Sequence, residues 1–83
     1  MESDELAERV RAELATVKRL PIDQVPLDAT LASLGFDSLE TLTLLFEVEE
    51  RFSVSIPDEE ARAVKSVADV VALVRATLAR KTT

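Results

Sequence analysis

The residues best placed to do chemistry are Asp37-Ser38-Leu39-Glu40, which follow Leu34-Gly35-Phe36 where a turn breaks into an amphipathic segment. Gly35 supplies backbone freedom, and Asp37 with Glu40 three residues on has the types and spacing of a helix N-terminal cap. Ser38 then lies on the first turn, its hydroxyl pointing outward near unpaired backbone N–H groups. Those donors and the positive end of the helix dipole favour a phosphate, so a serine here can carry a phosphodiester without disturbing the fold. An ordinary capped helix start has the same residue types, so the rest of the chain must decide.

Other chemistries are poorly served. The chain has no histidine and no cysteine, so Ser38 lacks the base that an activated nucleophile requires. Asp37 is accounted for as a cap, and no catalytic residue is assigned. Asp58 and Glu60 could form a carboxylate pair, but acids in the first turn of a helix already have a structural reason. The cluster lacks the ligand spacing of a calcium loop, so no metal site is expected.

Four helices must position these residues. Leu6, Val10, Leu14 and Val17 form one helical stripe, with Ser3 as its expected cap, Asp4 and Glu5 in its first turn, and Pro21 ending it. The long connection from Leu20 to Phe36 carries Ile22, Val25, Leu27, Leu31 and Leu34, which are expected to pin it across the bundle, with one short helical turn near Leu31 to Leu34. The second helix is predicted from about Ser38 to Arg51, with Leu39, Leu42, Leu45, Phe46, Val48 and Phe52 on one broad apolar arc. Leu44 stands at the edge of that arc, as marginal core or as an apolar contact for a partner. Glu49 falls inside the arc, either at a fraying end or facing a groove. Ser53 to Ile56 reads as a connector, and Pro57 opens a short third helix over Pro57 to Ala61. Ser66 and Asp69 repeat the capping-box spacing before a fourth helix lined by Val67, Val70, Val71, Val74 and Leu78, after which Arg80 to Thr83 are expected to fray. The expected fold is all-α: a small four-helix bundle, three longer helices and a short third, with a long packed loop between the first two.

Composition agrees with one small domain over residues 1–83. The N-terminus is acidic where a presequence would be basic, and no apolar run approaches the length of a membrane span, so a cytoplasmic address without membrane insertion is expected. Net charge is −6. From Gly35 to Glu60 eight acids face one base, Arg51, whereas from Ala61 onward five bases face Asp69 alone. The acidic field around Ser38 repels nucleic acid and steers basic protein surfaces towards it.

The motifs Leu34-Gly35-Phe36-Asp37-Ser38-Leu39 and Phe52-Ser53-Val54-Ser55-Ile56-Pro57-Asp58-Glu59-Glu60-Ala61, with the acidic helix between them, resemble those of acyl carrier proteins, and the likeness runs from end to end. The resemblance implies that Ser38 bears covalent 4′-phosphopantetheine, transferred from coenzyme A by a phosphopantetheinyl transferase, with Asp37 and Leu39 flanking the attachment. The chain would then be a carrier and not an enzyme, a monomer holding acyl groups as thioesters for acyltransferase, ketosynthase and other acyl-processing partners. Asp37, Glu40, Glu47 and Glu50, with Leu39 as an apolar contact, are the implied docking residues. Leu42, Phe46, Ile56, Ala61 and Leu73 either line a space for cargo or pack as solid core. The Leu31-to-Gly35 turn is shorter than that of many fatty-acid carriers and is similar to that of polyketide-type carriers, and Asp37 before the serine is unlike the histidine common in peptidyl carriers. A free-standing carrier of polyketide, fatty-acid or related biosynthesis is expected, the turn favouring a polyketide or other specialised pathway. The rival is an acidic helical adaptor with the same fold that is never modified.

Overall fold

Asp4 begins the first helix: its carboxylate accepts the Ala7 N–H at 3.2 Å, and α1 runs over Glu5–Lys18. The structure is a computed structural model that describes residues 4–81, so the cap expected of Ser3 lies outside the described residues. Val10 and Leu14 of the predicted stripe are fully buried, with Leu6 and Val17 packed against them. Arg19 ends α1 in the left-handed conformation (φ 59°), and the Leu20 N–H reaches back to the Ala15 carbonyl at 2.9 Å. That is a Schellman ending built on a residue other than glycine.

Helix α2 spans Ser38–Phe52 and departs from the predicted arc. Leu44, placed at the edge by the sequence pattern, is fully buried and stands in the central core with Leu45 and Val48. Leu39, Leu42 and Phe46 are 72, 44 and 63% exposed. The apolar arc is wider than the neighbouring helices can cover. α1 and α4 take one half of it, and Leu39, Leu42 and Phe46 remain as an apolar stripe within about 60° of arc on the other half. Glu49 is half-buried: its carboxylate accepts the Ile56 N–H at 2.7 Å and fixes the connector.

The long connection contains one turn of 3₁₀ helix, Ile22–Gln24, that the sequence pattern did not reveal. Beyond its own turns, the segment is tied to its neighbours by further hydrogen bonds. Arg11 donates to the carbonyls of Val25 (2.7 Å) and Ile22 (2.9 Å). Leu31 N–H donates to Lys65 O, Val67 N–H to Ala29 O and Ala68 N–H to Leu27 O, at 2.9–3.0 Å. Val25 and Leu31 are buried, as expected of pins, whereas Ile22 and Leu27 stay substantially exposed. The expected turn near Leu31 closes through bonds from Gly35 N–H to Ala32 O and from Phe36 N–H to Leu31 O.

Two helices complete the bundle, α3 (Asp58–Ala63) and α4 (Val67–Lys81). Among the described residues there is no strand, only an isolated bridge between Thr30 and Ser66. Ser66 and Asp69 form the predicted capping box: Asp69 N–H donates to Ser66 Oγ (3.1 Å), and Asp69 Oδ2 accepts from Ser66 N–H (3.0 Å) and Lys65 N–H (2.9 Å). Arg80 and Lys81 continue α4 where fraying was expected, and Arg80 pairs with Glu60 of α3 at 3.2 Å; Thr82 and Thr83 lie outside the described residues. Val67, Val70, Val71 and Val74 are buried against α1 and α2, so packing supplies what β-branched residues lack in helix propensity.

Two stability predictions follow from this packing. Leu44→Ala is expected to remove about 2–5 kcal/mol by leaving a cavity, whereas Phe46→Ala should change stability by less than about 0.5 kcal/mol, as at an open surface; urea unfolding of both variants checks the facing of α2. The second concerns Asp69, whose carboxyl is held below its ordinary value by the Lys65 and Ser66 N–H donors. Its folded pKa is the lower one, so its contribution is complete above the unfolded carboxyl range and is lost as pH falls through the folded value. Asp69→Ala should therefore lower stability at pH 7, and thermal melts should show the gap closing once the pH is well below the usual carboxylate range.

Candidate functional site

Ser38 is the first residue of α2, preceded by Asp37 in extended backbone (φ −88°, ψ −174°). Asp37 Oδ1 accepts the Glu40 N–H at 2.7 Å and its carbonyl accepts the Thr41 N–H at 2.9 Å. The cap read from the sequence is thus present. The N–H groups of Ser38 and Leu39 precede the first intrahelical bond and point out of the helix at the positive end of its dipole. The Ser38 side chain is exposed beside them.

Glu40 does something the sequence pattern did not show. Its carboxylate turns to Lys18, at the end of α1, with Nζ to Oε1 at 2.9 Å. The same ammonium lies 5.1 Å from the centre of the buried Phe36 ring, within cation–π range. Lys18 thereby joins the end of α1, the turn before Ser38 and the first turn of α2. Gly35 takes φ +93° beneath it, and a Cβ there would stand 3.3 Å from Lys18 Cε.

An open cleft of about 650 Å³ lies beside Ser38. Leu31, Phe36 and Ala61 give it buried apolar lining, and Asp37, Ser38 and Leu42 border it from α2. Of the residues expected to line a cargo space, Leu42 and Ala61 reach this cleft. Phe46 does not: it projects into solvent on the exposed stripe. Ile56 is buried in the connector, and Leu73 is half-buried on α4, both outside the cleft lining. Arg62 and Lys65, which the sequence reading passed over, do line it.

The expected docking residues Asp37, Leu39, Glu40, Glu47 and Glu50 are all exposed. The last two and Glu40 run as an acidic strip alongside the apolar stripe of Leu39, Leu42 and Phe46. On the far side, the buried Glu13 of α1 pairs with Arg51 at 3.2 Å. That pair was legible in principle, since Glu13 falls at the edge of the apolar stripe of α1, next to Leu6 on the wheel, and a carboxylate buried there needs a cation. Among the described residues no group of three acidic side chains is arranged to hold a metal ion, and no helix is long and apolar enough to cross a membrane.

Residues 8–74 match the family model described as a phosphopantetheine attachment site. The chain belongs to the acyl carrier protein family. It is 40% identical over 75 residues to an acyl carrier protein of Akkermansia muciniphila, covering 89% of this chain and 94% of the relative. It is 41% identical over 68 residues to one from Clostridium acetobutylicum, covering 72% and 88% respectively. The crystal structure of an acyl carrier protein from Thermotoga maritima superposes with a TM-score of 0.68 at 26% identity, over 86% of this chain and 93% of that one. Acyl carrier proteins are carriers and not enzymes, and their prosthetic group is covalently attached 4′-phosphopantetheine. The site fits that group: an exposed hydroxyl, outward N–H donors suited to a phosphate, and a neighbouring cleft with apolar lining.

The geometry of the turn carries its own prediction. Gly35→Ala would force an L-residue to positive φ and press on Lys18, so the carrier should lose about 1–2 kcal/mol. Urea unfolding measures the loss. An unchanged midpoint would mean that the turn relaxes without Gly35.

Proposed function

We propose that Ser38 is the attachment residue, and that the carrier holds acyl intermediates on its arm and delivers them to successive enzymes. The observation that carries this reading is the exposed hydroxyl at the capped N-terminus of α2, set beside the cleft. A phosphodiester on Ser38 would be met by the Ser38 and Leu39 N–H groups, while Asp37, turned into its cap, holds the helix start in place. When bound, the prosthetic group supplies a thiol that carries acyl groups as thioesters.

The surface of α2 supports visits by acyl-processing enzymes and by a phosphopantetheinyl transferase. Leu39, Leu42 and Phe46 offer an apolar contact next to Ser38, and Asp37, Glu40, Glu47 and Glu50 surround it with negative charge. Each exposed ion pair with a basic partner contributes at most about 1 kcal/mol. Charge steering therefore sets fast association while leaving release fast, as successive deliveries require. Glu40 is already paired with Lys18, so it contributes to docking less than Glu47 or Glu50.

The short Leu31-to-Gly35 turn and Arg51 within an otherwise acidic α2 support a polyketide-type or other specialised pathway. The acidic surface supports a monomer with a cytoplasmic address. One core collecting side chains from every helix and from the loop supports reading residues 1–83 as a single carrier domain.

Intact mass after incubation with coenzyme A, Mg²⁺ and a broad-specificity phosphopantetheinyl transferase tests the reading. One phosphopantetheine should be added to the native chain and none to Ser38→Ala. A folded chain, shown beforehand to be unmodified, that gains no mass with several transferases would instead be an unmodified helical adaptor.

A further inference from the structure

The two sides of the cleft beside Ser38 differ in charge. Asp37 and Ser38 border it from α2, while Arg62 of α3 and Lys65 of the α3–α4 junction border it from the other side. Both bases are exposed, and they directly follow the acidic stretch from Gly35 to Glu60. Ion pairs among the described residues engage Arg11, Lys18, Arg51, Arg75 and Arg80, but neither Arg62 nor Lys65. Lys65 is near enough to Asp69 to help hold that carboxyl ionised, so its charge is shared. Arg62 has no ion-pair partner among the described residues.

A guanidinium at the rim of an apolar cleft offers a planar set of donors that matches a carboxylate. An anion in this cleft meets repulsion from Asp37 on one side and attraction from Arg62 and Lys65 on the other. We propose that Arg62, assisted by Lys65, makes the cleft a receptor for arm-borne acyl groups that end in a carboxylate, in preference to neutral chains of the same length. The proposal rests on the reading of Ser38 as the attachment residue. A cargo tethered there is present at high effective concentration, so even one weak, partly exposed ion pair shifts its position from solvent into the cleft.

The test compares three loaded forms of the full chain by amide and arginine side-chain NMR: the arm unacylated, carrying hexanoyl, or carrying adipyl, each verified by intact mass. Adipyl should shift the Arg62 Nε–H and the Ala61, Arg62 and Lys65 amides beyond their positions in the hexanoyl form, and high salt should reduce the difference. Arg62→Gln should lower the docked adipyl population about two- to fivefold, the size of an exposed ion pair, while leaving the hexanoyl form unchanged. Identical spectra for adipyl and hexanoyl, or a difference that survives Arg62→Gln, would overturn the proposal. Shifts already complete in the unacylated form would assign the bases to the arm's phosphodiester and overturn it equally. If no mass is added, it is the Ser38 reading that fails; the cleft is then measured on Ser38→Cys, the chain's only thiol, carrying the same two acyl chains through a thiol-reactive linker.

Discussion

The backbone polar groups of the connection between α1 and α2 are the constraint on which the rest of the molecule depends. Turns satisfy only some of them, and a segment that crosses a bundle cannot leave the remainder buried and unpaired. The α3–α4 junction supplies partners through Lys65 O and the N–H groups of Val67 and Ala68, and the Arg11 guanidinium supplies donors from the other side. With the segment held at both edges, Val25 and Leu31 can enter the core, Phe36 can pack beneath Lys18, and the cleft acquires a floor. The position of Ser38 is therefore set by hydrogen bonds made well away from it.

The surface of α2 shows a second compromise. Burying a large aliphatic or aromatic side chain is worth about 1.5–3 kcal/mol, and a domain this small has little stability in reserve. Yet Leu39, Leu42 and Phe46 lie uncovered next to Ser38. A carrier that meets many enzymes in turn has a use for apolar surface that folding leaves uncovered, provided that the strip of acids beside it keeps copies of the chain apart.

Much of this was legible in the sequence, for identifiable reasons. Helix periodicity located α1 and α4, and residue types at fixed offsets located the caps at Asp37 and at Ser66 with Asp69, because those bonds are local. The facing of α2 was not legible. Its apolar residues span more of the wheel than one face, and which half is buried depends on where α1 and α4 lie, so Leu44, at the edge of the pattern, takes a central core position while Phe46, inside the arc, stays exposed. The Lys18–Glu40 contact, the Glu60–Arg80 pair and the bonds from the loop to the α3–α4 junction join residues far apart in the chain, where no spacing rule reaches. At the site, the serine and its cap were visible beforehand, but the cleft was not, because its walls come from segments separated in sequence.

The chain contains a single glycine, and it stands at the turn before Ser38. The other two left-handed positions among the described residues, after α1 and after α2, are occupied by Arg19 and Ser53, both residues for which that conformation is unfavourable. The conformational ease that glycine brings is thus kept for the one ending that shapes the cleft. At the other two endings the fold tolerates backbone strain, which leaves evolution a reserve: stability can rise at either of them by one substitution that relieves the left-handed conformation.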